Sequence, residues 1–459
     1  MTTPPPARPP YPPQGPAAGH DPFAAPHGVT PLYGDGFDGD AMPLLYERLR
    51  AEHGPVAPVL LAPGLGAWLV LGHRELLRLT RDEVDFSHDP RRWRLLREGR
   101  VPADSPILPM VGWRPALLFV DGREHRRMRA PVAAALAAVD GHELRRDVQS
   151  DAEDLIAAFS GRGEADLVRD YARKLPMRVI TRLLGLDADT GRELVTAIAG
   201  LARGDADSAR ASARADEIML ALVREKRRAP GGDVTSALLA HPAALDDTET
   251  VATLVTMFVA SNQTTLNWIA TTLRIILCDP AFRSSLTGGR LSVDDALDLV
   301  LWRFPPTQNF PARYATRDLR LGRQDVREGD MLVLGLAAAN ADPAVLPADG
   351  GPVVGNRSHL AFSAGPHSCP AQDPARLITR AAVDTLRHRL PDLELAVPES
   401  ELSWIKSPWS KGLAALPVRF SAPRPPGAET APPASVPSAP FSPQPPVPRP
   451  DAPQAGAAL

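Results

Sequence analysis

Cysteine is nearly missing from this chain of 459 residues, which contains only Cys278 and Cys369. A Cys-rich zinc site needs several thiols, and a redox pair of the CxxC type needs two thiols close together in sequence. Both kinds of site are therefore excluded. Any chemistry that depends on sulfur must use a single thiol.

Net charge and long apolar runs are also scarce. The formal net charge is −3, which argues against nucleic-acid binding and against a strongly acidic partner. The longest apolar run, residues 57–72, is interrupted by prolines and glycines, so no transmembrane segment is predicted. The run instead predicts a hairpin with a Pro-Gly turn, followed by a helix near residues 73–81. The N-terminus shows no basic segment followed by an apolar core, and we therefore expect a cytoplasmic protein.

Proline is abundant but concentrated at the two ends of the chain. Of 51 prolines, 10 lie in residues 1–27 and 13 in residues 421–459. Segments so rich in Pro, Ala and Ser cannot bury enough apolar surface to offset the entropy lost on ordering. The sequence predicts disordered tails over residues 1–38 and 422–459, and a single folded domain over residues 39–421.

The stretch Phe362-Ser-Ala-Gly-Pro-His-Ser-Cys369 places one thiol in a loop before a run with helical character, residues 374–386. The oriented N–H groups at the start of a helix favour a thiolate, the form that binds a metal. A lone thiolate suits a cofactor that brings its other ligands itself, as haem does. Cys278 ends an apolar helix without an activating partner in the sequence and is interpreted as a small buried hydrophobe.

The pattern Phe-x-x-Gly-x-His-x-Cys resembles the haem-binding loop of the cytochrome P450 family, the haem-thiolate monooxygenases. The resemblance implies a mainly α fold with small β-sheets and a single haem domain. It also implies that Cys369 is the axial ligand of haem b, iron protoporphyrin IX, and that Phe362 and Gly365 shape the loop around it.

His125 and Arg129 lie four residues apart at the start of a predicted helix, hence on one face. Together they suit an anion, although a solvated basic helix face is the alternative interpretation. The family resemblance assigns the anion as a haem propionate, because paired guanidinium and carboxylate groups match in geometry. By the same resemblance, Arg313 binds a second propionate and His367 lies beside the two.

A long helix is predicted over residues 248–277, and its middle is polar although the rest is apolar. This middle resembles the oxygen-binding segment of the family, usually Ala-Gly-x-Asp/Glu-Thr-Thr. Thr264 matches the hydroxyl that assists proton delivery. Gln263 stands where an acid is usual, and an amide cannot relay a proton by losing one. Ser261 replaces the usual glycine.

The Glu-x-x-Arg pair of the family is not found. If Arg303 is the arginine of the pair, Val300 stands at the glutamate position. If Trp302 occupies the arginine position instead, Leu299 stands at the glutamate position. The usual third partner is not recognisable either, although Arg357 is a weak candidate. The sequence therefore predicts that the stabilising triad is rebuilt or lost, and that Arg303 bonds backbone carbonyls or faces water.

The run Asp298-Leu-Val-Leu-Trp302 resembles an actinobacterial subset of haem-thiolate proteins that lacks Glu-x-x-Arg and has an acid and a tryptophan bounding this run. Pro370 and Ala371 also depart from the usual Cys-x-Gly. A glycine lets the helix and the haem approach closely, so Ala371 is expected to alter the local spacing.

The predicted function is insertion of one oxygen atom from O2 into an apolar small molecule, with electrons from NAD(P)H through a reductase and a ferredoxin. Three arginines are expected to present a basic surface to an acidic ferredoxin: Arg123, Arg126 and Arg127. The alternative is a catalytically impaired haem-binding protein that acts as a sensor, scaffold or partner protein. Gln263 and the missing Glu-x-x-Arg pair both favour that alternative.

Overall fold

The structure is a computed structural model that describes residue 23 and residues 29–34, 41–202, 208–346 and 355–422. The predicted mainly α fold with small β-sheets is confirmed. The predicted C-terminal tail lies outside the described residues except for Ala422.

Helices account for most of the described chain. They are α1 Ala41–His53, α2 His73–Arg81, α3 Arg94–Arg97, α4 Leu108–Val111, α5 Gly122–Ala137, α6 Gly141–Ser160, α7 Leu175–Leu184, α8 Ala188–Ala202, α9 Ser208–Arg228, α10 Val234–Leu239, α11 Asp247–Cys278, α12 Pro280–Thr287, α13 Val293–Arg303, α14 Leu336–Asn340 and α15 Gln372–Arg389. A π-helical turn, Val168–Ala172, leads into α7.

The strands form three small sheets. They are β1 Thr30–Pro31, β2 Val56–Ala62, β3 Leu65–Val70, β4 Phe86–Ser87, β5 Glu164–Asp166, β6 Phe310–Ala315, β7 Leu319–Leu321, β8 Gln324–Val326, β9 Met331–Leu334, β10 Glu394–Leu395 and β11 Pro417–Arg419. The largest sheet has the order β1-β2-β3-β9-β6-β4, the second β10-β11-β5, and β7 pairs with β8.

The hairpin predicted with a Pro-Gly turn is confirmed, because β2 and β3 pair antiparallel on either side of Pro63-Gly64. Gly64 has φ +74°, a left-handed conformation that favours glycine. The helix that follows, α2, has the predicted bounds of residues 73 and 81.

Helix α11 is the longest element of the described chain and matches the predicted long helix within one residue at each end. A capping box starts it: the Asp246 side chain accepts from the Glu249 N–H, and the Glu249 side chain accepts from the Asp246 N–H. Side chains of α11 and α15 contribute to one apolar core, which also includes Ala296 and Leu297 of α13. This core packs the part of α11 that follows its polar middle against the helix after Cys369.

The predicted N-terminal tail boundary at residue 38 is wrong, because part of the stretch packs on the domain. Thr30 and Pro31 pair in parallel with Val59 and Leu60 of β2, and Leu32 is buried. Further upstream, the Phe23 ring meets the ring of buried Trp68 edge to face at a centroid distance of 5.0 Å. The segment is rich in proline, so its composition concealed these apolar contacts.

We expect Phe23→Ala to lower the free energy of unfolding by about 1 kcal/mol, because it removes a partly buried ring from the side of Trp68. Urea unfolding followed by tryptophan fluorescence measures the change. Val84→Ala is the control, since Val84 is 80% exposed. Equal stability of the two variants would mean that the Phe23 contact contributes nothing.

Candidate active site

The Cys369 loop is closed by its own backbone. The Cys369 N–H donates to the Phe362 carbonyl at 2.9 Å, and the Ser368 N–H donates to the Gly365 carbonyl at 3.1 Å. Gly365 has φ +70°, and a Cβ added there would lie 2.1 Å from the Thr80 carbonyl oxygen. The loop therefore requires glycine at this position, both for conformation and for space.

Phe362 begins the loop and anchors it to α11. Its ring meets Trp268 of α11 edge to face at a centroid distance of 5.7 Å, and it packs against the main apolar core. The loop is thereby fixed at one end by an aromatic contact and at the other by α15, which begins at Gln372.

Burial raises the pKa of the Cys369 thiol, although a hydrogen bond from the Ala371 N–H and the positive charge of Arg129 both act to lower it. The helix-start N–H groups thus act in the direction that the sequence indicated, and burial opposes them. Helix α15 begins three residues after Cys369, and burial outweighs the N–H groups. A bound cation would displace the proton, because a metal ligates the thiolate.

Helix α5 brings His125 and Arg129 to the same side, as their spacing predicts. An Arg129 Nη donates to the Ser368 carbonyl at 2.7 Å, beside the cysteine. His125 is buried. Burial and, to a smaller extent, the charge of Arg129 lower the pKa of His125 to about 4. The ring is therefore neutral at pH 7 in this arrangement.

His367 lies between two other imidazoles. Its ring stacks on His125 at a centroid distance of 3.6 Å and on His88 at 3.3 Å. Burial lowers the pKa of His367, and the neighbouring rings and arginines lower it further. The structure thus brings His125, Arg129 and His367 together.

His88 is a residue of this site that the sequence did not reveal. Its Nδ1 lies 2.8 Å from Asp121 Oδ1, and its backbone N–H donates to the same carboxylate. Asp121 orients the ring so that Nε2 points away from this partner. The sequence signal was weak, because His88 lies in an irregular segment about thirty residues before α5.

Arg313 completes the cluster from β6. The register of β6 against β9 shifts between Phe310 and Arg313, and Ala312 has φ +78°, so a bulge sets the direction of the arginine. The side chain is buried, and one Nη donates to the Ala312 carbonyl. Burial lowers the pKa of Arg313 to about 9, so the group stays charged at pH 7.

Six buried nitrogen atoms of this cluster have no hydrogen-bond partner among the described residues. They are His88 Nε2, His125 Nδ1 and Nε2, His367 Nδ1 and Nε2, and Arg313 Nε. Buried polar atoms are normally paired, because an unpaired one costs the full desolvation of the group. Because a neutral imidazole carries one N–H, His125 and His367 each offer one donor here, and Arg313 Nε offers another. Carboxylates supply the acceptors that these donors need, so the cluster fits an acidic ligand.

A metal ion is the competing interpretation of the cluster. Two overlapping sets have ligand atoms within 4.8 Å of one another: Glu83, His125 and His367, and His88, Asp121 and His367. Arg313 and Arg129 lie close enough to lower the pKa of His367, and positive charge so near disfavours a cation. The cluster therefore suits an anion better than a metal ion.

The middle of α11 carries the predicted catalytic pair. The Thr264 hydroxyl donates to the Ala260 carbonyl at 2.6 Å, and bonds of this type bend helices locally. Gln263 is exposed, and its Nε2 donates to Asn267 Oδ1 at 3.0 Å. Asn267 is buried, and a Cβ on Gly412 would lie 2.1 Å from its Oδ1. Gly412 thus permits a backbone approach that fixes the Asn267 amide.

Helix α13, where no Glu-x-x-Arg pair is found, carries a buried acid. Asp298 is buried and accepts hydrogen bonds from Arg357 Nε, at 3.2 Å, and from Arg376. Trp302 Nε1 donates to the Asn356 carbonyl at 2.6 Å. Arg303 is exposed, which agrees with the prediction that it faces water. Asp298 of α13 is thus paired with two arginines from other segments of the chain.

Cys278 lies far along α11 from this site and is half-buried. Burial raises the pKa of its thiol to about 11, and the neighbouring Glu399 carboxylate contributes. The thiol is therefore neutral at pH 7, which fits its interpretation as an inert residue.

Two of the three arginines predicted to face a redox partner are available for one. Arg123 and Arg126 are exposed, although an Arg126 Nη lies 4.0 Å from a Glu83 carboxylate oxygen. Arg127 instead donates to Glu124 and to Glu249 on α11. The basic surface is therefore smaller than the sequence indicated.

None of the described helices combines the length and the apolarity needed to cross a membrane. Comparison with models of protein families finds no match.

The chain is nevertheless clearly similar to individual known proteins. Cytochrome P450-SU2 of Streptomyces griseolus is 30% identical over 397 residues, which cover 83% of this chain and 94% of the relative. Mycinamicin IV hydroxylase/epoxidase of Micromonospora griseorubida is 29% identical over 381 residues, covering 80% and 93%. The solved structure of CYP154A1 from Streptomyces coelicolor A3(2) superposes with a TM-score of 0.76 at 28% identity, covering 85% of this chain and all of that one, 100%.

The similarity extends over nearly the whole length of these proteins and includes the fold. Relatives named as hydroxylases and monooxygenases share it. The chain belongs to the cytochrome P450 family of bacterial haem-thiolate monooxygenases.

Proposed function

We propose that residues 39–421, together with the anchors at Phe23 and β1, form a haem domain that binds haem b. Cys369 supplies the axial thiolate, and the propionates take His125, Arg129, Arg313 and His367 as partners. The observation that carries the proposal is the set of buried nitrogen atoms without hydrogen-bond partners in the described structure. Two carboxylates would accept hydrogen bonds from the donors in this set. Cys369 is close by, because Arg129 of the same cluster donates to the carbonyl of Ser368, the residue before the cysteine.

Bound through a cysteine thiolate, haem supplies activation of O2 and cleavage of the O–O bond. The chain itself supplies binding, orientation and protons. Arg313 and Arg129 provide fixed positive charge for the propionates. The Thr264 hydroxyl, whose proton is donated to the Ala260 carbonyl in this structure, can accept a hydrogen bond from water and pass a proton onward when it turns.

The substrate that we propose is an apolar small molecule. Relatives of similar identity are named as hydroxylases of 2-hydroxy-5-methyl-1-naphthoate and of vitamin D(3), both with several rings or a large apolar part. In this chain the exposed side of mid-α11 includes Val259, Ala260 and Gln263. Such a surface offers apolar contact with a single amide for orientation.

A bacterial enzyme of this family needs a redox partner, and we propose NAD(P)H as electron source with a reductase and a ferredoxin as carriers. The exposed cations Arg123 and Arg126 on α5 support an acidic partner. Their helix also carries Arg129, which contacts the Cys369 loop. The proposed location is the cytoplasm, where these electron carriers operate.

A second candidate function is a haem protein that binds its ligand but turns it over poorly. The observation that favours it is the amide at the position where an acid is usual: Gln263 stands there, and it donates a hydrogen bond to a second amide, Asn267. Amides hold water and ligands in place, but they do not donate a proton by ionising.

One experiment separates the two functions. The full-length protein is incubated with NADPH, surrogate ferredoxin and reductase, isotopically labelled O2 and a panel of apolar multi-ring compounds. The proposed function predicts products that carry one labelled oxygen atom, detected by mass spectrometry. Compounds that shift the haem absorption without gaining an oxygen atom would favour the second candidate.

A further inference from the structure

Asp298 is a buried carboxylate held by arginines from two separate segments of the chain. Its side chain is 2% exposed. One oxygen accepts from Arg376 of α15, and the other accepts from Arg357 in the segment before the cysteine loop. A buried carboxylate without such partners typically lowers the free energy of unfolding by several kcal/mol. The two arginines therefore stabilise the buried charge of Asp298.

The two arginines flank the Cys369 loop in sequence. Arg357 precedes Phe362, the start of the loop, and Arg376 follows Cys369 by about two helical turns. Asp298 therefore ties the chain segments on both sides of the loop to a single point on α13. A change at this point would act on the loop from both ends.

Aromatic contacts reinforce the same connection. Trp302, one turn after Asp298, donates to the Asn356 carbonyl next to Arg357. Its ring meets His359 at a centroid distance of 6.1 Å, and His359 meets Phe362 at 5.9 Å. Phe362 in turn accepts the backbone hydrogen bond of Cys369. A continuous set of contacts thus runs from α13 to the thiol.

We propose that Asp298, with Arg376 and Arg357, is the positioning network for the Cys369 loop in this chain. In Glu-x-x-Arg, the acid and an arginine would both lie on α13. Here the arginine that pairs with the acid is Arg376, on the helix that follows the cysteine. The inference rests on the proposed function, in which the Cys369 thiolate ligates haem. Asp298 acts on the ligand through the loop and does not touch the reacting atoms.

Solvent exposure ranks the two arginines. The Arg376 side chain is 18% exposed and the Arg357 side chain 61% exposed. Water screens the more exposed pair. Arg376→Gln should therefore have the larger effect, and Arg357→Gln a smaller effect of the same kind.

The test uses Asp298→Asn and a matched control in which a different buried carboxylate loses its charge. Asp151 of α6 is also buried and also lies between two arginines, Arg178 and Arg182 of α7. Asp151→Asn removes comparable ion pairs away from the loop. A general loss of stability affects both variants, whereas a loss of loop position affects only Asp298→Asn.

Two readouts are followed in mild urea. One is the rate at which the reduced carbon monoxide complex loses its thiolate-type absorption. The other is the hydrogen exchange of the Cys369 and Ser368 amides in the haem-free protein. We expect both rates to rise about tenfold more in Asp298→Asn than in Asp151→Asn. Both variants break a buried ion pair, which commonly has more than a tenfold effect on stability, but only Asp298 is tied to the segments beside the loop.

Each outcome has one meaning. Equal rates in Asp298→Asn and Asp151→Asn would overturn the network, even with a normal thiolate-type complex in wild type. Absence of that complex in wild type would instead overturn the proposed function. If Asp298→Asn does not fold, Arg376→Gln replaces it, and Arg376→Gln with wild-type rates in both readouts overturns the network.

Discussion

Cys369→Ala removes the thiolate-type absorption of the bound haem completely. The reason is structural, because the loop offers one sulfur, and Cys278 lies on α11 with a thiol whose pKa is raised to about 11 by burial and by Glu399. We expect haem affinity to fall by more than the roughly 10- to 100-fold typical of losing an outer partner of a metal ligand. The absorption spectrum and the haem content of the purified variant measure both effects.

Cys278→Ala is the matched control for Cys369→Ala. It removes the other half-buried thiol and leaves the loop unchanged, so its spectrum and haem content should equal those of wild type. A thiolate-type spectrum retained in Cys369→Ala, or lost in Cys278→Ala, would contradict the assignment of the ligand.

Gln263→Glu raises the share of electrons that appear in product. Without a neighbouring carboxyl group, proton delivery must pass through Thr264 and water, and slow delivery lets reducing equivalents escape as hydrogen peroxide. The structure has room for the acid: Asn267 Nδ2 is buried without a hydrogen-bond partner among the described residues, and the introduced carboxylate could accept from it. General acid catalysis contributes roughly 10²- to 10⁴-fold where it operates well, so we expect a gain of up to about 10²-fold in product rate.

The measurement compares NADPH consumed, hydrogen peroxide released and product formed for one substrate. Gln263→Leu is the control, because it loses the hydrogen bond to Asn267 without gaining an acid, and it should not improve coupling. If NADPH consumption is already tightly coupled to product formation in wild type and less so in Gln263→Glu, then protons reach the site by another route.

Local sequence patterns predicted the elements whose contacts are also local. The spacing of His125 and Arg129 places both on one face of α5, and the Pro63-Gly64 turn fixes the β2–β3 hairpin. The bounds of α2 and α11 follow from apolar periodicity and from the acidic cap of α11. These features depend on residues a few positions apart.

The features that the sequence concealed depend on distant residues. His88 joins the site through Asp121 and through stacking on His367, and no pattern around His88 indicates either partner. Arg376 reaches Asp298 across 78 positions, so counting within α13 could show only that the usual pair was missing. The raised pKa of Cys369 is likewise a consequence of burial, which a helix-start argument does not include.

The central claim is that the Cys369 thiolate binds haem in the loop that α5, α13 and α15 hold in place. The absorption spectrum of the reduced full-length protein with carbon monoxide tests it most directly, since the band position reports the ligand opposite to carbon monoxide. The account predicts a thiolate-type band in wild type that is absent from Cys369→Ala and unchanged in Cys278→Ala. A band of the type given by imidazole or thiol ligation in freshly prepared wild type, with the fold intact, would contradict it.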